Sequence, residues 1–194
     1  MLENTAITDA LGVALDRARG IGSGARIVGF GVAVLRDEHG AIKQVEPFAN
    51  LITDAGDAYY AKKAIVGIAP ANATAPTAAN GMKLGTGSTA VTKSGAAAAL
   101  SGTFVSGSNV AFDATYPQAA AKGTDQGWNA TYQSTWAAGV ATNATINEVV
   151  IVNDQATAAA SSAANTYARA VLATVNKAAA DSLTITWSHL FLGA

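Results

Sequence analysis

The segment from Trp128 to Trp136 constrains this chain more than any other. Trp128, Ala130, Tyr132, Ser134 and Trp136 alternate with Thr131, Gln133 and Thr135. The strict alternation places the three large rings on one face of a strand and Thr131, Gln133 and Thr135 on the other. A half-buried strand is therefore expected here, and it needs partners. Ala144–Val152, Thr166–Val175 and Leu183–Leu192 supply them. Ile146, Val149 and Ile151 are the apolar positions of the first, and Asn176–Asp181 is the turn between the last two. Met82–Leu84, Thr103–Ser106 and Val110–Thr115 are shorter candidates.

Upstream, residues 26–36 read as another strand, with Val28, Phe30, Val32 and Val34 on one face. Asp37-Glu38-His39-Gly40 makes a hairpin turn whose Gly40 suits a left-handed backbone, and Ala41–Val45 returns. Pro47 is expected to break the ladder. Two helices are expected. One covers residues 5–19, with Ile7, Leu11 and Leu15 along a single apolar stripe and Gly20 at its end. The other starts at Thr53 or Asp54, either of which can cap it, and runs through Tyr59, Tyr60 and Ile65. Residues 69–80, 88–102, 154–164 and Pro117–Gly127 read as loops. Short strands joined by turn-rich segments predict a mainly β fold, an antiparallel β-sandwich of jelly-roll type. The expected division is an N-terminal helix and β-hairpin arm, residues 1–48, before a sandwich domain, residues 49–194.

Composition narrows the function. Only 13% of the 194 residues are charged, and the formal net charge is -1. The surface must then be built largely from Ser, Thr, Asn, Gln and Ala, which is easily desolvated and suits packing against other proteins. No Lys/Arg cluster offers a footprint for nucleic acid. The chain has no cysteine, so disulfides and thiolate chemistry are excluded. Met1–Thr5 lacks the basic and apolar regions of a Sec signal, and no apolar run approaches the roughly 18 residues of a membrane span. Asn-x-Thr triplets at Asn72, Asn129 and Asn143 read as coincidences of a Thr-rich chain.

The chemistry-bearing motifs are sparse. Gly85-Thr86-Gly87-Ser88-Thr89-Ala90 follows a strand and matches a dinucleotide fingerprint, but Val91-Thr92-Lys93-Ser94-Gly95 is a poor helix start. A tight glycine turn is the better reading. The Gly20–Gly24 and Gly29–Gly31 tract lacks the lysine of a phosphate loop. Of the two histidines, His39 falls at a hairpin tip, and His189 lies in phase with Leu183, Ile185 and Trp187, as a hydrogen-bonded core residue would. Neither has a nucleophile elbow nearby. Glu46, Asp54 and Asp57 cluster in sequence, with capping as the role of the aspartates. Glu148 stands inside an apolar strand, where pairing with Arg169 on a neighbouring strand is the favoured role over catalysis. Asp113, Asp125, Asp154 and Asp181 fall in or near loops without the spacing of an EF-hand. Trp128, Tyr132 and Trp136 could stack on sugars, though alternation favours the core.

An ordered series of motifs runs through the β-rich part. It comprises Asn50–Gly56, Met82–Gly87, Ala137–Ala141, Ile146–Ile151, Ala168–Ala170, Val175–Lys177 and Leu183–Trp187. In that order they resemble the virion structural proteins of tailed bacteriophages, across roughly residues 49–194. The resemblance implies a non-enzymatic component of the particle without catalytic residues, cofactor or metal, assembled in the host cytoplasm. The expected role is capsid decoration, with the major capsid protein as partner, self-association as a homotrimer, and no binding to nucleic acid or membrane. Ile7, Leu11 and Leu15 are the expected assembly contacts. A tail or tail-fibre protein touching host glycans is the alternative.

Overall fold

A computed structural model describes residues 5–10, 13, 26–65, 76–122 and 127–192. Its strands are β1 (Arg26–Arg36), β2 (Ile42–Ile52), β3 (Gly81–Gly85), β4 (Val110–Ala111), β5 (Gln118–Ala121), β6 (Trp128–Trp136), β7 (Asn143–Val152), β8 (Thr166–Lys177) and β9 (Ser182–Leu192). Helix α1 (Asp54–Ile65) follows β2. All nine strands join one antiparallel sheet in the order β4-β3-β7-β8-β2-β1-β9-β6-β5. The sheet curls into a half-barrel. Its far limbs meet where Asp113, just beyond β4, donates its N–H to the Gln133 carbonyl of β6 at 2.8 Å.

Alternation decides which face each residue takes. The concave face carries Trp136, Tyr132, Leu183, Ile185, Trp187, Ala33 and Leu35, and these pack with Met82, Leu84, Ile146 and Val149 from the opposite limb. Phe48 meets Trp187 edge-on, with ring centroids 5.1 Å apart. A side chain at Gly31 would collide with Phe48 and the Thr186 carbonyl, so a glycine is required beside that pair. The face expected of Val28, Phe30, Val32 and Val34 is real and buried, with Val28, Phe30 and Leu190 forming a second small cluster.

Two expectations need correction. The hairpin does not belong to a separate arm: β1 pairs with β9 over its whole length, and β2 crosses the expected boundary at residue 48. Val32 and Val34 would face water if β1 left the sheet, and burying them in its middle is the more stable arrangement. Pro47 does not break β2 either, because it pairs in register with Val32. Strand β2 meets β8 in register at Leu51 and Ile52.

Helix α1 begins as expected. The Thr53 hydroxyl accepts the Gly56 N–H at 3.1 Å, and Asp54 and Asp57 occupy the first turn. Among the described residues no helix is long and apolar enough to cross a membrane. Residues 5–10 are helical, and Ile7 is half-buried. Leu11, Leu15 and the Gly20–Gly24 joint lie outside the described residues.

Candidate functional site

Four charged groups of the sheet, Glu148, Arg169, Lys83 and Lys177, are turned inward, and each holds a loop. Glu148 and Arg169 are fully buried, with Glu148 Oε2 accepting from Arg169 Nη2 at 2.7 Å and Nε at 2.9 Å. The expected pair is therefore present. Its second duty was not legible. Glu148 Oε1 accepts the N–H groups of Gly87 and Gly102, and Oε2 accepts that of Ser101. The glycine turn that mimics a phosphate-binding loop thus wraps a carboxylate of its own chain. Gly87 and Gly102 approach so closely that a side chain on either would strike the other's backbone or Ser101. Burial would raise the Glu148 carboxyl, but the Ser101 and Gly102 N–H groups, Arg169 and the Gly87 N–H outweigh it and hold it below its ordinary value.

Two lysines are also fully buried. Lys83 donates to Asp154 Oδ1 and to the Ala159 carbonyl, both at 3.0 Å. Lys177 donates to the Ala137 carbonyl at 3.0 Å, and burial lowers its pKa against the opposing charge of Asp181. Asp181 is lowered by its hydrogen bonds from Lys43 and from the Ala178 N–H. These groups pin the segments around residues 93–104, 137–140 and 154–165 onto the sheet, and their donors and acceptors are committed to that.

At the end of the half-barrel covered by α1, Tyr60 reaches onto the concave face. Its hydroxyl bonds the Tyr132 hydroxyl at 2.9 Å and Nδ1 of His189. Burial pushes the Tyr132 phenol up to about 12 and the His189 imidazole down to about 3. His189 is the hydrogen-bonded core residue expected of its strand, neutral at ordinary pH. Its Nε2 atom and Asn50 Nδ2 have no hydrogen-bond partner among the described residues. Among the described residues the ring's partners are Tyr60, Tyr132 and Trp187. His39 is exposed beside Glu38.

The remaining feature is an edge. Strand β5 pairs on one side with β6 and is the outermost strand of its limb. Gln118, Ala119, Ala120 and Ala121 are all exposed. Trp128 stands opposite Ala121 and is 59% exposed, whereas Tyr132 and Trp136 are in the core. Natural edges are usually protected by charge, proline or a bulge. This one carries no charge over its four residues, although Pro117 precedes it and Lys122 follows it. Residues Pro117–Gly127 read as a polar loop because alanine has little strand propensity. No group of three or more His, Asp or Glu side chains among the described residues could hold a metal ion, and Asp125 lies outside them. Against known proteins, no family model, no curated protein and no solved structure matches this chain.

Proposed function

We propose that this chain is a structural protein of a tailed-phage particle that acts by protein–protein assembly, decorating the capsid through the major capsid protein and associating with copies of itself, with a homotrimer as the expected form. The observation that carries the reading is the outer edge of β5, uncharged over Gln118–Ala121 and without a strand partner among the described residues, with the exposed Trp128 beside it. A neighbouring copy can add a strand there without desolvating a charge. The ordered motifs of the β region support the same class of protein. So does the use of Glu148, Arg169, Lys83 and Lys177 as internal pins, which leaves a surface of small polar residues. We read the curled sheet as an opened sandwich of jelly-roll kind, with β4-β3-β7-β8 and β1-β9-β6-β5 as limbs around one core. On this reading the protein is not an enzyme and resides in the virion after assembly in the host cytoplasm.

Trp128 also favours a second reading, a tail protein that stacks host glycans on an open indole. Antibody labelling of intact particles separates the two. Label on the head supports decoration, label on the tail supports the second reading, and its absence from purified particles sinks both.

A further inference from the structure

Lys83 is a buried primary amine for which the assembly reading has no use beyond an ion pair. Its neighbours are unusual in kind. Asp154 accepts from Lys83 Nζ through Oδ1 at 3.0 Å and from the side-chain amide of Asn165 through Oδ2 at 3.3 Å. One carboxylate therefore touches an amine on β3 and a carboxamide at the start of β8, with one oxygen for each. The amine is completely shielded, and the Asp154 side chain is only 21% exposed. All three groups are also fixed in place. The Ala159 carbonyl accepts a second Nζ hydrogen, and the Ser161 hydroxyl donates to Asp154 Oδ1. The Asn165 backbone is tied at both polar atoms, accepting from the Asn153 N–H and donating to the Ser162 carbonyl, each at 3.1 Å.

We propose that Lys83 and Asn165 become joined by an intramolecular isopeptide bond, with Asp154 as the proton shuttle. Asp154 takes a proton from the Lys83 ammonium, and the neutral Nζ attacks Cγ of Asn165. A C–N bond forms, and the Cγ–Nδ2 bond breaks. Asp154 delivers its proton to the departing nitrogen, and the remaining proton of the attacking nitrogen follows by the same carboxylate. The amine and the carboxamide become a secondary amide, and nitrogen leaves as ammonium. No oxidant or cofactor enters. Lysine is an effective nucleophile once deprotonated, and fixed juxtaposition raises the rate of such a step by orders of magnitude. The product would clamp β3 to the start of β8 covalently, on the face where the buried charges already pin the loops.

Mass spectrometry of the full-length protein under denaturing conditions tests this. The intact mass should fall below the sequence mass by one ammonia. Proteolysis should then yield a branched peptide joining Lys83 to Asn165. Asn165→Ala leaves the Lys83–Asp154 ion pair intact, so it should fold and retain the full mass expected of its sequence. Asp154→Ala should also lack the branch. Asn80-Gly81 can lose ammonia by closing a succinimide, so the branched peptide, and not the mass alone, is the decisive signal. An intact mass equal to the sequence mass after prolonged incubation overturns the proposal. A branch from Lys83 to Asp154 with loss of water overturns the assignment to Asn165, and a branch that survives Asp154→Ala overturns the role of Asp154.

Discussion

His189 is neutral in the fold because burial disfavours the imidazolium, and that has a measurable consequence. Its folded pKa is about 3, against an ordinary value of 6.5. Below pH 6.5 the unfolded chain binds a proton that the fold refuses until about pH 3. Stability contributed by the neutral ring is therefore complete above the unfolded pKa and declines as the pH falls through that window. The slope is about 1.4 kcal/mol per pH unit for one such group. His189→Gln should flatten the pH dependence of urea unfolding in this range while leaving the β circular-dichroism spectrum intact. An unchanged slope would show that His189 is not the titrating group. Glu148 works through the same linkage with a different partner. Its folded carboxyl lies below its ordinary value, so its contribution is present above the unfolded carboxyl pKa and is lost as the pH falls through the folded one. Glu148→Gln leaves Arg169 buried without a counter-charge and frees the Gly87 and Ser101–Gly102 segments. A loss of about 3–5 kcal/mol is expected from breaking such a pair, read from chemical denaturation. Recovery in a Glu148→Gln, Arg169→Met double variant would show that the unpaired charge, and not the loops, dominates the loss.

Strand β6 was legible because Tyr132, Ser134 and Trp136 obey one alternation, although Trp128 at its start is exposed. Strands β7, β8 and β9 followed within a residue or two at most ends. The pairing of Glu148 with Arg169 was legible too, since an acid in an apolar strand needs a counter-charge. Strand β5 escaped because Ala119–Ala121 carries neither branched nor aromatic side chains, and only its pairing with β6 makes it a strand. Pro47 misled for a related reason: a residue's own chemistry does not reveal which strands will pair beside it. The contacts of Lys83 with Asp154, and of Glu148 with the glycine turn, span long stretches of sequence that no local pattern encodes. The element that most needs testing is the one that was missed. Ala120→Lys places a charge in the middle of the free edge while leaving the β5–β6 pairing available. If this edge joins copies of the chain, sedimentation at micromolar concentration should shift from oligomer toward monomer, with melting of the monomer changed little. Edges that pair with themselves about a two-fold close as dimers, whereas a threefold ring needs the edge to meet a different surface of its neighbour. The mass of the assembled wild-type species distinguishes these arrangements, and an oligomer indifferent to Ala120→Lys would remove β5 from the interface.

At the scale of the whole molecule, the question is which part of the chain the sheet can lose. Strand β1 cannot be removed, because its flanks are occupied by β2 and β9 along most of its length. The described strands begin at Arg26, so removing the segment before it leaves every pairing among the described strands in place. Its sequence carries one apolar stripe, Ile7, Leu11 and Leu15, on a helix that would be marginal by itself in water. Such a stripe gains stability only by docking, on this sheet or on a neighbour in the particle. The assembly reading favours the neighbour. Deleting residues 1–24 should then leave a cooperatively folding β protein, with β1 still between β2 and β9, that no longer attaches to particles. The comparison deletion, residues 1–36, removes β1 and should abolish folding altogether, because β2 and β9 would lose their common partner and the concave core would lose Ala33 and Leu35. Circular dichroism and denaturant titration read the folding of both, and co-sedimentation with undecorated particles reads attachment. If the 1–24 deletion attaches at full occupancy, the segment is not the anchor and the β5 edge is the next candidate. If the same deletion unfolds the protein, the stripe docks on its own sheet, and the buried row Val28, Phe30, Val32 and Val34 is the first place to seek its contact.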